Sequence, residues 1–199
     1  MIRTSSFEAV RSCDAGWGFV APDGSRPFAD RGIRVPTLDE LLDAFPDIPV
    51  NVDVKQRAPS MVAEVLALLR RRGDEGRVLV ASFSSATLRA VRRAGYPGKT
   101  CLGPDEALRV FAAPLPLLRA LPPGGDAAQV PIAFRGLRLD TPSFVARCRA
   151  LSLRLDYWTV NDPAEAERLV ALGADGIMTD DPAAIVPVVR GLRAARWDG

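Results

Sequence analysis

The chain has 199 residues, a length typical of one domain, and 48% of them are hydrophobic and 25% are charged. Its 26 basic and 24 acidic residues leave a net charge of +2, which disfavours a nucleic-acid-binding surface because such a surface needs a concentrated basic face. The sequence contains no histidine, and this excludes imidazole from acid–base chemistry performed by this polypeptide alone.

Cysteine usage and hydropathy exclude two further classes of protein. Cys13, Cys101 and Cys148 lie far apart, so no zinc-binding spacing is present. No apolar run reaches the roughly 18 residues that would predict a membrane-spanning helix. No signal peptide follows Met1, and this predicts a cytoplasmic location.

The first half of the chain predicts alternating strands and helices after an irregular stretch at residues 1–35. A capping box formed by Thr37 and Glu40 opens a short helix that continues to about Phe45. Strict alternation, helical periodicity and turn residues then predict a strand at 50–55, a helix at 60–72, a strand at 77–82, a helix at 84–94 and a short strand at 99–102.

The second half continues the same alternation. Residues 105–121 have a helical pattern that Pro114 and Pro116 interrupt. The remaining predicted elements are a weak strand at 129–134, a helix at 142–151, a strand at 153–160, a helix from 162 to 173, a strand at 176–179 and a final helix from 181 to about 195. Strands that alternate with helices of about ten residues predict a parallel sheet built from βαβ units.

One predicted strand carries three polar side chains on a single face. Asn51, Asp53 and Lys55 alternate with three valines, which we expect to pack against the helices. Burying an amide, a carboxylate and an ammonium between sheet and helices would cost several kcal/mol unless they were paired, so the lumen of a barrel is the favoured environment. Two interpretations stay open, a site near the mouth of the barrel and an Asp–Lys ion pair without chemistry.

Trp158 and the pair Thr179-Asp180 each end a predicted strand. A large aromatic side chain at that position can form one wall of a substrate pocket, although plain core packing is the commoner role of an isolated tryptophan. Thr179 and Asp180 can bind a ligand, or they can cap the helix that begins at Asp181-Pro182, which is the favoured interpretation.

Five segments, in this order, resemble the glycerophosphodiester phosphodiesterase family. They are Val35-Pro36-Thr37-Leu38-Asp39-Glu40-Leu41-Leu42, Asn51-Val52-Asp53-Val54-Lys55, Val80-Ala81-Ser82-Phe83, Trp158-Thr159-Val160-Asn161-Asp162 and Gly173-Ala174-Asp175-Gly176-Ile177-Met178-Thr179-Asp180. The resemblance covers about residues 30–185, and the last two motifs are specific when they occur together. They also favour this family over a phosphatidylinositol-specific phospholipase C-like barrel.

The resemblance implies a (β/α)8 TIM-type barrel that hydrolyses glycerophosphodiesters to an alcohol and glycerol 3-phosphate with a divalent metal, Ca or Mg. Asp53 stands where the family has a metal-binding Glu and is shorter by one methylene, about 1.5 Å of reach. Lys55 matches a lysine that would contact a phosphate oxygen, and Trp158 matches a tryptophan that would line the glycerol pocket. Asp181 stands where the family often has Arg.

The family's two catalytic histidines, in a His-Arg-Gly and a His-Asp motif, have no counterpart here. Residues 2–20 resemble the segment that follows the His-Asp motif, so we expect residues 1–199 to form a single partial barrel domain that lacks the first three strands. We therefore expect no catalytic residue and no activity in the 199-residue chain, which would bind a small-molecule glycerophosphodiester through Lys55 and Trp158. The alternative is a non-catalytic remnant or a phospho-ligand-binding module, and an oligomer or partner would cover the open barrel edges.

Overall fold

The computed structural model describes residues 2–21 and 23–197, and their side chains apart from those of residues 3 and 192–197. A 3-10 turn covers Ile2–Thr4. The α-helices are α1 Phe7–Arg11, α2 Leu38–Ala44, α3 Val62–Arg72, α4 Ser85–Arg93, α5 Pro104–Ala112, α6 Leu115–Ala120, α7 Pro142–Ala150, α8 Pro163–Leu172 and α9 Pro182–Trp197. The strands are β1 Val50–Asp53, β2 Val78–Ala81, β3 Ala127–Pro131, β4 Ala133–Phe134, β5 Leu137–Arg138, β6 Arg154–Trp158 and β7 Gly176–Ile177.

The chain divides into two compact units, residues 1–48 and 49–199, and the prediction of a single domain stays a prediction. In the first unit the predicted capping box is confirmed, because Thr37 Oγ1 accepts from the Glu40 amide at 3.1 Å and Glu40 Oε2 accepts from the Thr37 amide at 2.8 Å. A hydrogen bond from Arg11 lowers the pKa of Glu40 to about 2. The prediction of an irregular stretch at 1–35 was wrong for Ile2–Thr4 and α1, where Ser6 caps a helix too short for periodicity to indicate.

The second unit contains a row of parallel strands. β1 pairs with β2, and β3, β6 and β7 form a second parallel group in that order. Single bridges from Thr100 to Val80 and from Cys101 to Ala127 connect the two groups. The parallel sheet that the sequence predicted is confirmed, and within the described residues β1 and β7 stand at the two ends of the row.

The predicted strand at 99–102 is present as two isolated parallel bridges at its predicted position. Its backbone bonds both neighbours, since the Cys101 amide donates to the Val80 carbonyl at 2.9 Å and the Leu102 amide donates to the Ala127 carbonyl at 2.7 Å. Arg92 of α4 adds side-chain bonds, because its guanidinium donates to Thr100 Oγ1 at 2.9 Å and to the Cys101 carbonyl at 2.7 Å. The same group bonds Glu106 Oε1 of α5 at 2.8 Å.

A buried apolar layer lies between the strands and the helices that follow them. Tyr157 and Leu155 of β6 pack with Phe144 of α7 and Leu169 of α8, and all four are almost fully buried. The Tyr157 hydroxyl donates to the Leu139 carbonyl at 2.8 Å, which satisfies both polar groups inside this layer. Within the described residues, no helix has both the length and the apolar character needed to cross a membrane.

A two-stranded antiparallel hairpin, β4–β5, follows β3 and was not predicted. Its central residues Arg135 and Gly136 have φ angles of +49° and +81°, which match the turn that suits two-residue hairpin loops. The sequence prediction instead extended one strand from 129 to 134. That strand ends at Pro131, and after Ala133–Phe134 the chain turns back at Arg135 and Gly136.

The parallel row is strongly curved. Asn51 of β1 donates to Gln129 Oε1 of β3 at 3.2 Å, although β2 and residues 99–102 lie between their strands. In a flat sheet those strands would be about 14 Å apart, since neighbours lie about 4.8 Å apart. Curvature therefore gives the sheet a concave inner face lined by polar side chains, as a barrel lumen is.

Candidate functional site at the carboxyl edge of the sheet

The polar side chains of the first strand lie where its carboxyl end meets the concave face. Asp53 ends β1 with a 27% exposed side chain, and Lys55 follows it with 82% of its side chain exposed. Lys55 Nζ lies 3.9 Å from Asp53 Oδ2, so the two charges interact at long range for a salt bridge. Both interpretations of this pair, a ligand site and an ion pair without chemistry, stay open, because most of the ammonium surface remains exposed and could contact a ligand. Of the three valines expected against the helices, only Val54 is fully buried.

Asp53 has one carboxylate oxygen without a hydrogen bond. Its Oδ1 is buried, and no donor in the described residues bonds it. The buried thiol of Cys101 lies close enough for Asp53 and Asp156 to act on it, and burial is the main cause that raises the pKa of this thiol to about 11. The thiol is therefore protonated near neutral pH and is not a nucleophile.

A chain of polar side chains that the sequence did not predict crosses the concave face. Gln129 accepts from Asn51 and donates through Nε2 to Asp156 Oδ2 at 3.2 Å. Arg154 Nε hydrogen-bonds the same oxygen at 3.0 Å. The other oxygen, Asp156 Oδ1, accepts no hydrogen bond but lies 2.8 Å from that nitrogen, so the ion pair covers it.

Gly176 of β7 is required by this arrangement. It lies directly opposite Asp156 in the ladder, and a Cβ atom there would collide with the Asp156 carboxylate and the Arg154 guanidinium. The residue belongs to the aspartate–glycine motif noted in the sequence. Its presence is explained by the close approach of two charged side chains rather than by backbone conformation.

Trp158 is half-buried at the end of β6 and forms an aromatic pair with Phe83, which follows β2. The ring centroids are 5.6 Å apart and the planes meet at 79°, an edge-to-face arrangement. The pair spans the concave face in the same way as the Asn51–Gln129 bond, because β3 and residues 99–102 lie between the two strands. Arg57, two residues after Lys55, donates to the Phe83 carbonyl at 3.3 Å, so the loop after β1 contacts the loop that carries this ring pair.

The loops after β6 and β7 are joined by Asn161. Its Oδ1 accepts from the Thr179 hydroxyl and from the Asp180 amide, both at 2.9 Å, and its Nδ2 donates to Asp180 Oδ2 at 3.2 Å. Asp181 then caps α9 by accepting from the Ala184 amide at 3.1 Å. The favoured interpretation, that Thr179 and Asp180 cap this helix, was wrong: Asp181 accepts the capping bond, and Thr179 and Asp180 join the two loops through Asn161.

The described side chains do not supply a complete divalent-metal site. Calcium and magnesium take six or more oxygen ligands, including several carboxylate, carbonyl or water oxygens. Within residues 2–21 and 23–197 no cluster of three or more carboxylate or cysteine side chains is placed to hold a metal ion. Asp53 Oδ1 is one oxygen that fits as a ligand, and it does not make a site by itself.

Comparison with known protein families gives one matching family across most of the chain. Residues 1–184 match the model of the family described as "Glycerophosphoryl diester phosphodiesterase family". A relative from Mycobacterium tuberculosis, named "Probable glycerophosphodiester phosphodiesterase 2", is 31% identical over 179 residues. The match covers 84% of this chain and 64% of that protein, so the chain spans less than two thirds of that relative's length.

Solved structures give the same family and a barrel fold. A putative glycerophosphoryl diester phosphodiesterase from Silicibacter pomeroyi matches with a TM-score of 0.64 and 31% identity over 81% of this chain and 58% of that one. A glycerophosphoryl diester phosphodiesterase domain from Mycobacterium tuberculosis covers 100% of this chain and 76% of its own, with a TM-score of 0.71 and 20% identity. The predicted α/β barrel class is confirmed by these likenesses.

Proposed function

Because the chain belongs to the glycerophosphoryl diester phosphodiesterase family, we propose that its carboxyl edge provides the substrate-binding part of a site for hydrolysis of glycerophosphodiesters to an alcohol and glycerol 3-phosphate, without the acid–base groups that turnover requires. One observation supports this above others. The structure brings Asp53, Lys55 and the Trp158–Phe83 pair to the same edge of one curved sheet. That edge is where barrel folds bind their substrates.

Lys55 and Trp158 have distinct proposed roles in binding. The Lys55 ammonium is a compact, mobile point charge that extends from the end of β1, and it would contact a non-bridging phosphate oxygen. The Trp158 and Phe83 rings offer an apolar face to the carbon skeleton of the glycerol group. Together they would orient an anionic ligand with its phosphate toward β1 and its carbon skeleton toward β6.

Asp53 is proposed as one ligand of a divalent cation, Ca or Mg, and its buried Oδ1 is the atom that would bind it. Such an ion, when bound, neutralises charge on a phosphate. The remaining ligands are not supplied by the described side chains. We expect calcium to tighten the binding of glycerol 3-phosphate to the wild-type chain, and we expect Asp53→Asn to abolish this effect. The quantity measured is the ratio of the glycerol 3-phosphate affinities with and without calcium.

The absence of histidine leads to a second part of the proposal. No imidazole can take the proton from an attacking hydroxyl or return one to the leaving alkoxide. We propose that the 199-residue chain is a partial barrel without its first three strands and that it binds phosphorylated ligands without turning them over. The cytoplasmic location and a partner over the ends of the sheet stay predictions.

Glycerophosphocholine hydrolysis and glycerol 3-phosphate binding by calorimetry test these points on the purified chain. We expect no turnover, and binding that is lost in Lys55→Ala but kept in Lys99→Ala. Lys99 is the matched control because it is exposed and is the second of the chain's two lysines. Turnover by the chain would refute the requirement for histidine, and equal binding by both variants would refute the site.

A further inference from the structure

Three loops at the carboxyl edge expose large apolar side chains. Residues 54–61 follow β1, residues 82–84 follow β2 and residues 132–138 follow β3, so parallel pairing places all three at one edge of the sheet. We call them the three-loop surface. Phe83 is 59% exposed and Phe134 is 54% exposed, and Met61 and Leu137 are exposed with them. Apolar groups concentrated in this way mark an interaction surface.

The same loops carry only positive charge. They contain Lys55, Arg57, Arg135 and Arg138, and neither aspartate nor glutamate. The next acid along the chain, Asp140, is buried and paired with Arg138 and Arg168. A chain of almost balanced charge thus places four cations and no exposed acid in these loops.

Neighbouring loops of the same edge have the opposite character, which defines the boundary of the surface. The loops after β6 and β7 expose Asp162, Asp180 and Asp181. Between the second and third loops, Asp105 at the start of α5 is paired with Arg89 at 2.7 Å. The positive charge of the surface therefore comes from the first and third loops, and the second loop between them is uncharged.

Cations lie beside exposed aromatic side chains in this surface rather than in a separate patch. The Arg135 guanidinium lies 5.4 Å from the centre of the Phe134 ring, and Arg57 bonds the backbone of Phe83. At a bilayer surface such pairs place a ring at the boundary with the acyl chains and a cation among anionic headgroups. A protein partner would be expected to fill one shaped apolar pocket. The exposed apolar side chains here stand on separate short loops, and this favours a lipid surface over a protein partner.

We propose that the three-loop surface docks on an anionic lipid surface. Phe134 and Leu137 of the hairpin enter the interface, and Arg57 and Arg135 contact lipid phosphates, while Arg138 stays paired with Asp140. The inference goes beyond ligand hydrolysis and does not depend on it, because these four side chains are not among those proposed to bind the ligand. It gives the carboxyl edge a second role as the face turned toward a bilayer.

Vesicle flotation of the 199-residue chain tests the proposal, with vesicles of phosphatidylcholine alone and of phosphatidylcholine mixed with phosphatidylglycerol. We expect binding to the mixed vesicles only. Phe134→Ser and Arg135→Glu should each weaken it about five-fold or more, the factor that corresponds to roughly 1 kcal/mol per basic residue at such a surface. Matched controls are Leu121→Ser and Arg93→Glu, exposed residues at the carboxyl ends of α6 and α4, at the opposite edge of the sheet.

The outcomes separate clearly. Binding that the two loop variants lose and the two controls keep supports the proposal, provided that circular dichroism shows all four variants folded. Absence of binding by the wild-type chain overturns it, and so does equal binding to both kinds of vesicle. Equal loss in loop and control variants would also overturn it, because the attraction would then come from net charge rather than from this surface.

Discussion

Substitution of Gly176 by alanine should destabilise the protein through one collision. The new Cβ would meet the carboxylate of Asp156 and the guanidinium of Arg154. Arg154 can move aside because 51% of its side chain is exposed, whereas Asp156 is buried and bonded to Gln129. The overpacking costs about 1–3 kcal/mol, and a displaced Asp156 would lose its hydrogen bond to Gln129, worth about 1 kcal/mol. We therefore expect Gly176→Ala to cost about 2–3 kcal/mol.

A double-mutant cycle identifies the cause of that loss. In an Asp156→Ala background the collision is removed, so the cost of Gly176→Ala should fall below about 1 kcal/mol. Urea denaturation followed by circular dichroism measures both values, and the single variant should also lower Tm by about 4–10 °C for a chain of this size. Gly76→Ala is the matched control, because a Cβ there meets no atom within 4 Å. Equal costs in the two backgrounds would refute the close approach of Gly176 and Asp156.

Two further predictions concern titratable groups. Burial raises the pKa of the Cys101 and Cys148 thiols to about 11 and about 12. A thiol reagent at pH 8 should therefore modify only the exposed Cys13 until urea unfolds the chain. Rapid modification of all three cysteines in the native chain would contradict this. Burial acts to raise the pKa of Asp140, but hydrogen bonds from Arg138 and Arg168 outweigh it and the pKa is lowered. Its stabilisation is therefore complete above the unfolded pKa of about 4 and is lost as pH falls below it. Asp140→Asn should flatten the loss of stability below pH 4 in acid-unfolding experiments, and an unchanged slope would count against the ion pairs.

Local signals in the sequence predicted most of the elements, because they act over a few residues. The Thr37–Glu40 capping box and the Asp162-Pro163 helix start both appear as expected, and Gly173 ends its helix in the left-handed conformation. The predicted third strand at 99–102 is present as two isolated bridges, and Arg92, a helix residue, adds a side-chain hydrogen bond to it. No periodic pattern reports such a partner.

The site was predicted in part for the same reason. Period-two alternation predicted that Asn51, Asp53 and Lys55 share a face, and the structure places Lys55 Nζ 3.9 Å from Asp53 Oδ2; the binding roles of Lys55 and Trp158 stay predictions. Gln129 was not foreseen, although it connects Asn51 to Asp156. Its partners are brought together only by the curvature of the sheet, which depends on all strands at once and leaves no mark in a local pattern.

Residues 99–102 join the two ladders of the sheet, β1–β2 on one side and β3–β6–β7 on the other, through their backbone. The Cys101 amide donates to the Val80 carbonyl at 2.9 Å, and the Leu102 amide donates to the Ala127 carbonyl at 2.7 Å. Both residues are buried, so their amide hydrogens are bonded and shielded from solvent together. Because sub-global opening starts where few backbone bonds must break, we expect these amides to exchange as slowly as those of the ladders they join, and the whole row to open as one cooperative unit.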